Sequence, residues 1–119
     1  LGSARNDTTD SVANNAWFKM VTATSTTAVV VETDDGTTDK DDIATGQTLS
    51  TTYKKFVIDF TGGKSNVKFY IDGSRVAAST TFDMSAATSS LQPIVQLQKA
   101  SNTNVSAVTI DYIKVVCKR

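Results

Sequence analysis

The sequence has no histidine, a single glutamate, Glu32, and a single cysteine, Cys117. The absence of histidine excludes Ser-His-Asp and Cys-His catalytic arrangements and most zinc sites. One cysteine excludes an intrachain disulfide, and we expect it to behave as a small buried hydrophobic residue. No P-loop or nucleophile-elbow sequence is present either. We therefore expect a protein that is not an enzyme.

The sequence offers almost no candidates for a pair of catalytic carboxylates. A glycoside hydrolase needs two carboxyl groups facing each other at about 5 Å or about 6.5–9.5 Å. Asp59 and Asp72 project from neighbouring predicted strands and are the one pair that could approach each other. Because Lys55 and Lys68 lie beside them, solvated or ion-paired carboxylates are the better interpretation, and we assign no catalytic residues.

Positive and negative charges balance, and the sequence has no long hydrophobic run. Lys plus Arg equals Asp plus Glu, 12 against 12, and no basic stripe appears, so nucleic acid is not an expected partner. The longest purely apolar run, residues 28–31, is far shorter than the ~20 residues of a membrane-spanning helix. We expect neither nucleic-acid nor membrane binding.

What the sequence does contain favours β-structure. Its 119 residues correspond to one domain, and Thr, Ser and Val are frequent. Thr and Val are stiff at χ1 and suit a half-buried pleated surface. Strand signals recur at short intervals, as in a sandwich or barrel, and no amphipathic helix of three turns occurs. The predicted fold is an all-β, antiparallel two-sheet sandwich, with strands at residues 16–24, 27–33, 43–49, 53–60, 67–72, 75–80, 94–99 and 106–116.

The clearest local signal is a β-hairpin. Residues 67–72 alternate, with Val67, Phe69 and Ile71 predicted to point inward. Asp72-Gly73 follows, and both residues tolerate the positive φ that a type I′ turn requires. The chain should therefore reverse at this point into the next strand.

Alternation also predicts the core. In residues 106–116 the apolar positions switch faces, which predicts a β-bulge near Asp111 and Tyr112 or burial of both faces. Residues 82–93 are expected to form a loop with one helical turn near 84–87. The predicted inward side chains are Phe56, Ile58, Phe60, Val67, Phe69, Ile71, Val95, Leu97, Val108 and Ile110.

Residues 1–15 are predicted to be a polar N-terminal arm, separate from the sandwich domain at 16–119. Val12 is their only large apolar residue after Leu1. Such an arm needs something to hold it, because ordering each residue costs about 1–2 kcal/mol. It either pairs as an edge strand with its own sheet or lies on a neighbouring subunit.

Residues 34–42 are predicted to form an acidic loop. Calcium takes six to eight oxygen ligands, and Asp34, Asp35 and Asp39 could supply some of them. The spacing is not that of an EF-hand, and Lys40 neutralises part of the charge. We therefore expect a solvated loop and keep calcium as the weaker alternative, with no other cofactor.

Amide side chains form a second candidate site. Gln96 and Gln98 project from one face of their predicted strand, and Asn102 follows closely. Amides both donate and accept hydrogen bonds, so with an aromatic residue such as Tyr70 the face could hold a sugar. The alternative is a solvent-facing or subunit-facing β-surface.

Several segments of the sequence resemble a known family. Residues 68–77 (KFYIDGSRVA) and 108–116 (VTIDYIKVV) resemble a hairpin and the last strand of concanavalin A-like, laminin-G-type jelly rolls. The order VVVETDDGTTD, YKKFVIDFTG, KFYIDGSRVA, FDMS and LQPIVQLQKAS resembles virion proteins of tailed bacteriophages with this fold. The resemblance covers residues 16–119.

The resemblance implies a capsid decoration or head-fibre protein on the virion surface, assembled in the host cytoplasm. Its partners would be the major capsid protein or other virion proteins, and it would form homo-oligomers. Some jelly rolls of this kind bind glycans, so a carbohydrate-binding module that tethers a virion or enzyme is the alternative function. The clustered Glu-Asp-Glu motif of the glycosidase branch is missing, so no enzymatic activity is implied.

Overall fold

The computed structural model describes residues 12–20, 28–97 and 107–116, and within them the fold is all-β. Six strands form two antiparallel sheets of three strands each, and the described ranges contain no helix able to cross a membrane. The only helical element described is a single 3₁₀ turn, Lys64–Asn66. The strands are β1 (Asn15–Lys19), β2 (Ala28–Asp34), β3 (Asp39–Thr48), β4 (Phe56–Asp59), β5 (Lys68–Ile71) and β6 (Ser74–Val76).

The first sheet has the order β1-β2-β3, with Phe18 opposite Val31 and Val31 opposite Ile43. Irregularities interrupt the β2–β3 ladder twice, and at one of them Asp42 adopts a φ of 48°. The prediction of an acidic loop over residues 34–42 is wrong for its second half. Asp39 begins β3 because this stretch pairs with β2, and pairing outweighs the weak β-propensity of aspartate.

The second sheet has the order β4-β5-β6 and confirms the predicted hairpin. Ile71 pairs with Ser74 across a two-residue turn in which Asp72 has a φ of 51° and Gly73 a φ of 83°. The following strand ends at Val76, earlier than predicted, and Ala77 has a φ of 50°. The local turn chemistry therefore determined this part of the fold.

One hydrophobic core draws on both sheets. Phe18 of β1 lies with its ring centroid 4.9 Å from that of Phe56 and 5.3 Å from that of Phe69. Phe69 in turn packs edge to face on Phe82, at 4.9 Å. The buried members of the cluster are Ala16, Val29, Val31, Val67, Phe69, Ile71, Val76, Phe82 and Met84.

The predicted core is right at its centre and wrong towards the end of the chain. Val67, Phe69 and Ile71 are buried, and Ile58 and Phe60 pack against the core from its margin. Phe56 was predicted to be inside but is 40% exposed, because it lies at the first residue of an edge strand. The other predicted core residues that are exposed are Val95, Leu97, Val108 and Ile110.

Two predicted strands, at 94–99 and 106–116, are not formed in the parts of them that the structure describes. Residues 94–97 and 107–116 have no strand structure, so neither the strand after Pro93 nor the bulged strand with both faces buried is present there. Both stretches have strong β-propensity, but a strand exists only where a partner supplies the ladder hydrogen bonds. The residues of both stretches favour a strand, but no described strand pairs with them.

A short segment, residues 82–87, connects the two sheets. The Val67 N–H donates to the Phe82 carbonyl at 3.0 Å, and the Met84 N–H donates to the Lys64 carbonyl at 2.8 Å. On the other side, the Ala86 N–H donates to Asp35 Oδ2 at 3.0 Å. The predicted helical turn at 84–87 is a hydrogen-bonded turn, closed by the Ala87 N–H and the Met84 carbonyl.

The described part of the predicted arm begins at Val12. Val12 is buried, and its carbonyl accepts a hydrogen bond of 2.9 Å from Asn15 Nδ2. Asn15 itself is the first residue of β1. Residues 12–15 are therefore held by the first sheet, while the rest of the predicted arm lies outside the described residues.

Candidate functional site

The most deeply buried charge among the described residues belongs to Glu32, on β2, with 1% of the residue exposed. Its Oε1 accepts a hydrogen bond of 3.0 Å from Asn15 Nδ2, and its Oε2 pairs with Lys19 Nζ. Lys19 Nζ also lies 3.0 Å from Asp42 Oδ1 on β3. The network thus ties β1, β2 and β3 together on one face of the first sheet.

The chemistry available to this network is limited. Both Glu32 oxygens are engaged, one by an amide and one by an ammonium group, and the residue is buried, so neither oxygen is presented to a ligand in solution. Asn15 Oδ1 and Trp17 Nε1 are buried nearby without a hydrogen-bond partner, which costs about 1–3 kcal/mol for each group. The arrangement is suited to holding strands in register.

The weak calcium candidates are not brought together as a cation site. Asp35 is 4% exposed, and its Oδ1 accepts hydrogen bonds from the Thr37 and Thr38 N–H groups at 2.9 and 2.6 Å. Asp34 Oδ1 accepts from the Gly36 N–H, and Asp39 begins β3. Within the described ranges, no group of three His, Cys, Asp or Glu side chains could hold a metal.

The hydrogen bonds of Asp35 also affect its protonation. The Thr38 N–H is the largest cause that holds the pKa of Asp35 below its ordinary 3.8, while burial acts in the opposite direction. Because the Ala86 N–H donates to the same carboxylate, this side chain joins the β2–β3 turn to residues 82–87. Asp35 is therefore a structural link between these two segments.

The predicted amide face is only partly described. Gln96 is exposed, while Gln98 and Asn102 lie outside the described residues. Tyr70 is half-buried on β5, between Val57 and Arg75 in the ladder. The sugar-binding face stays a prediction.

Residues 107–116, here called the apolar segment, form the most unusual surface. All ten residues are exposed, although most of their side chains are apolar. Val116 is 77% exposed, and even Ile110 reaches 46%. Large exposed apolar patches mark interaction sites. The exposed large apolar side chains are Val108, Ile110, Tyr112, Ile113, Val115 and Val116.

A second exposed feature is β3, which has ten residues and lies at an edge of the first sheet as described. Three of its first four residues are exposed aspartates, Asp39, Asp41 and Asp42. An edge strand presents unpaired N–H and C=O groups to any further strand. We call β3 with these three carboxylates the acidic edge.

Sequence reasoning missed the network around Glu32 and the acidic edge. The one signal for a buried Glu32 was Val30, an apolar residue two positions earlier, because residues i and i+2 of a strand share a face. No comparable signal distinguishes an acidic strand from an acidic loop. Both are rich in aspartate, and only pairing with β2 separates them.

Comparison with known proteins adds no relative to these observations. No family model matches the chain, and neither a curated protein nor a solved structure matches it.

Proposed function

We propose that this chain is a non-enzymatic structural domain of a tailed-bacteriophage virion, attached to the capsid surface as a decoration or head-fibre component. The observation that carries the proposal is the apolar segment, because ten consecutive exposed residues of this composition form a surface for docking. The resemblance of residues 16–119 to phage virion jelly rolls supplies the setting. Its partners are the major capsid protein or other virion proteins.

The proposal includes the finer fold, a jelly-roll sandwich. The edge-to-face contacts of Phe18 with Phe56 and Phe69 support it, since they join side chains of different sheets in one core. Residues 82–87 support it as well, because they hydrogen-bond to Asp35 on one side and to Val67 on the other. Two antiparallel sheets that share a core are what a sandwich requires.

Adhesion through apolar contacts has a characteristic salt dependence. The chain has a formal net charge of zero, so long-range attraction to a capsid is weak. Binding that depends on burying apolar side chains should persist when salt screens surface charges. Attachment that resists salt is therefore the expected behaviour of this domain.

Co-sedimentation of the purified domain with the phage particle tests the proposal. We expect saturable binding at 50 mM and 500 mM salt, and many symmetric copies when the labelled protein is imaged on the particle. Ile113→Asp should weaken binding at least about tenfold, since it places a charge in the buried contact. Tyr53→Asp, at another exposed position, is the control and should bind normally.

Two results would overturn the proposal. Absence of the protein from purified particles would remove the virion role. Specific retention of the free domain on a glycan array, with no binding to particles, would favour the carbohydrate-binding module instead.

A further inference from the structure

We propose that the apolar segment of one copy adds as an antiparallel strand to the acidic edge of a second copy. The inference deepens the proposed function and rests on it for its biological setting, but the interface itself is argued from the chain alone.

The length of the available edges selects β3. The described sheets have four edge strands, β1, β3, β4 and β6, and β3 alone has ten residues. The other three have five, four and three residues, and β1 and β4 lie against each other. Among the described strands, β3 is therefore the longest edge available to the apolar segment.

Charge selects the orientation. The acidic edge carries its carboxylates in its first half, at Asp39, Asp41 and Asp42. The apolar segment carries its one cation, Lys114, near its end, and the sequence continues with Lys118 and Arg119. Only antiparallel pairing brings the basic end of one strand to the acidic beginning of the other.

One register satisfies both charge and packing. With Lys114 opposite Asp41, Tyr112 and Ile110 lie beyond the irregularity at Asp42, towards Ile43 and Thr45. Aromatic and β-branched residues are favourable cross-strand partners. Asp41 is exposed and forms no ion pair within the part of the chain that the structure describes, so its carboxylate is accessible to Lys114.

The same charges disfavour the competing arrangement. Two acidic edges that paired with each other would place aspartates of both copies close together, which is repulsive. A strand that carries a cation opposite these aspartates can pair with the acidic edge instead. Specificity therefore comes from repulsion of one partner together with attraction of the other.

Exchange of charges between two variants tests the pairing. Lys114→Glu and Asp41→Lys should each weaken self-association of the purified chain, by about threefold or more in Kd, because each places like charges opposite each other. When the two variants are mixed, the glutamate of one segment meets the lysine of the other edge. The mixture should then associate within about twofold of the original chain.

Sedimentation equilibrium with the full chain, over a range of protein concentrations, measures both effects. Tyr112→Asp should reduce association by at least about tenfold, because it places a charge in the apolar contact. Tyr53→Asp is the matched control, since both tyrosines are exposed, at 68% for Tyr53 and 62% for Tyr112. The control should associate like the original chain.

A chain that stays monomeric at every concentration overturns the inference. Self-association that the charge reversals leave unchanged overturns it as well. Because purified protein is used without particles, such a failure leaves capsid binding untouched. Conversely, loss of capsid binding with normal self-association removes the proposed function and leaves the interface standing.

Discussion

Phe18 on β1 and Phe69 on β5 lie edge to face, with their ring centroids 5.3 Å apart and their planes at 88°. The two rings belong to different sheets, so the contact joins the two halves of the core directly. Phe69 is fully buried and also contacts Phe82, from a segment that follows both sheets. The position of this ring therefore makes it the most informative place to test the core.

Replacing Phe69 by alanine should destabilise the protein by about 3–5 kcal/mol, as large truncations in a packed core do. Chemical denaturation followed by tryptophan fluorescence measures the change in unfolding free energy. Tyr53→Ala, at a largely exposed aromatic residue, should change it by less than about 0.5 kcal/mol. A loss below about 1 kcal/mol for Phe69→Ala would contradict the packing described here.

The buried ion pair predicts a contrast between two carboxylates that share one lysine. Glu32→Ala should cost about 3–5 kcal/mol, because it leaves the mostly buried Lys19 without its inner partner. Asp42→Asn should cost less than about 1 kcal/mol, since the Asp42 side chain is half exposed and asparagine tolerates the φ of 48° there. Thermal or urea unfolding of both variants provides the comparison, and equal costs would refute the assigned environments.

The lowered pKa of Asp35 predicts a loss of stability in acid. A carboxyl group whose pKa is lower in the folded protein contributes stability that is complete above its unfolded pKa, near 3.8. This contribution disappears as the pH falls through the lower pKa of the folded state. Urea midpoints measured between pH 6 and pH 2 should therefore fall for the original chain and fall less for Asp35→Asn.

At neutral pH, Asp35→Asn should itself cost about 1–3 kcal/mol, because an amide N–H would replace one of the oxygens that accept the part-buried backbone hydrogen bonds. Asp41→Asn is the control, since Asp41 is exposed. If Asp35→Asn and the original chain show parallel pH profiles, Asp35 is not the group responsible.

The hairpin turn predicts a conformational cost without a steric one. A Cβ added at Gly73 would meet nothing within 4 Å, but the residue has a φ of 83°. Gly73→Ala should therefore destabilise by about 1–2 kcal/mol, the cost of a left-handed conformation for an L-residue. Ser74→Ala, next in the sequence, is the control, and equal stability of the two variants would exclude strain at the turn.

The sequence predicted the parts of the fold that depend on near neighbours. Alternation placed Val67, Phe69 and Ile71 on one face, and Asp72-Gly73 supplied a turn that needs positive φ at both residues. These signals are reliable because the strand, the turn and the returning strand lie within a few residues of one another. No distant partner had to be known.

Tertiary structure decided the features that depend on distant partners. Glu32 is buried because Asn15 and Lys19 come from another strand, and nothing within β2 itself supplies them. The acidic stretch after Asp39 is a strand because β2 pairs with it. The sugar-binding face predicted at Gln96 and Tyr70 stays a prediction, because it too depends on residues that are distant in the sequence.

The apolar segment also shows that sequence alone does not identify the partner of a strand. By itself the sequence determined that residues 107–116 favour a strand, through β-branched and aromatic side chains. The tertiary structure decided that this segment has no partner strand among the described residues, and it left Val108 and Ile110 exposed. β-Propensity is a property of single residues, whereas a β-ladder needs a second strand at hydrogen-bonding distance. The position of that second strand is determined only by the tertiary fold.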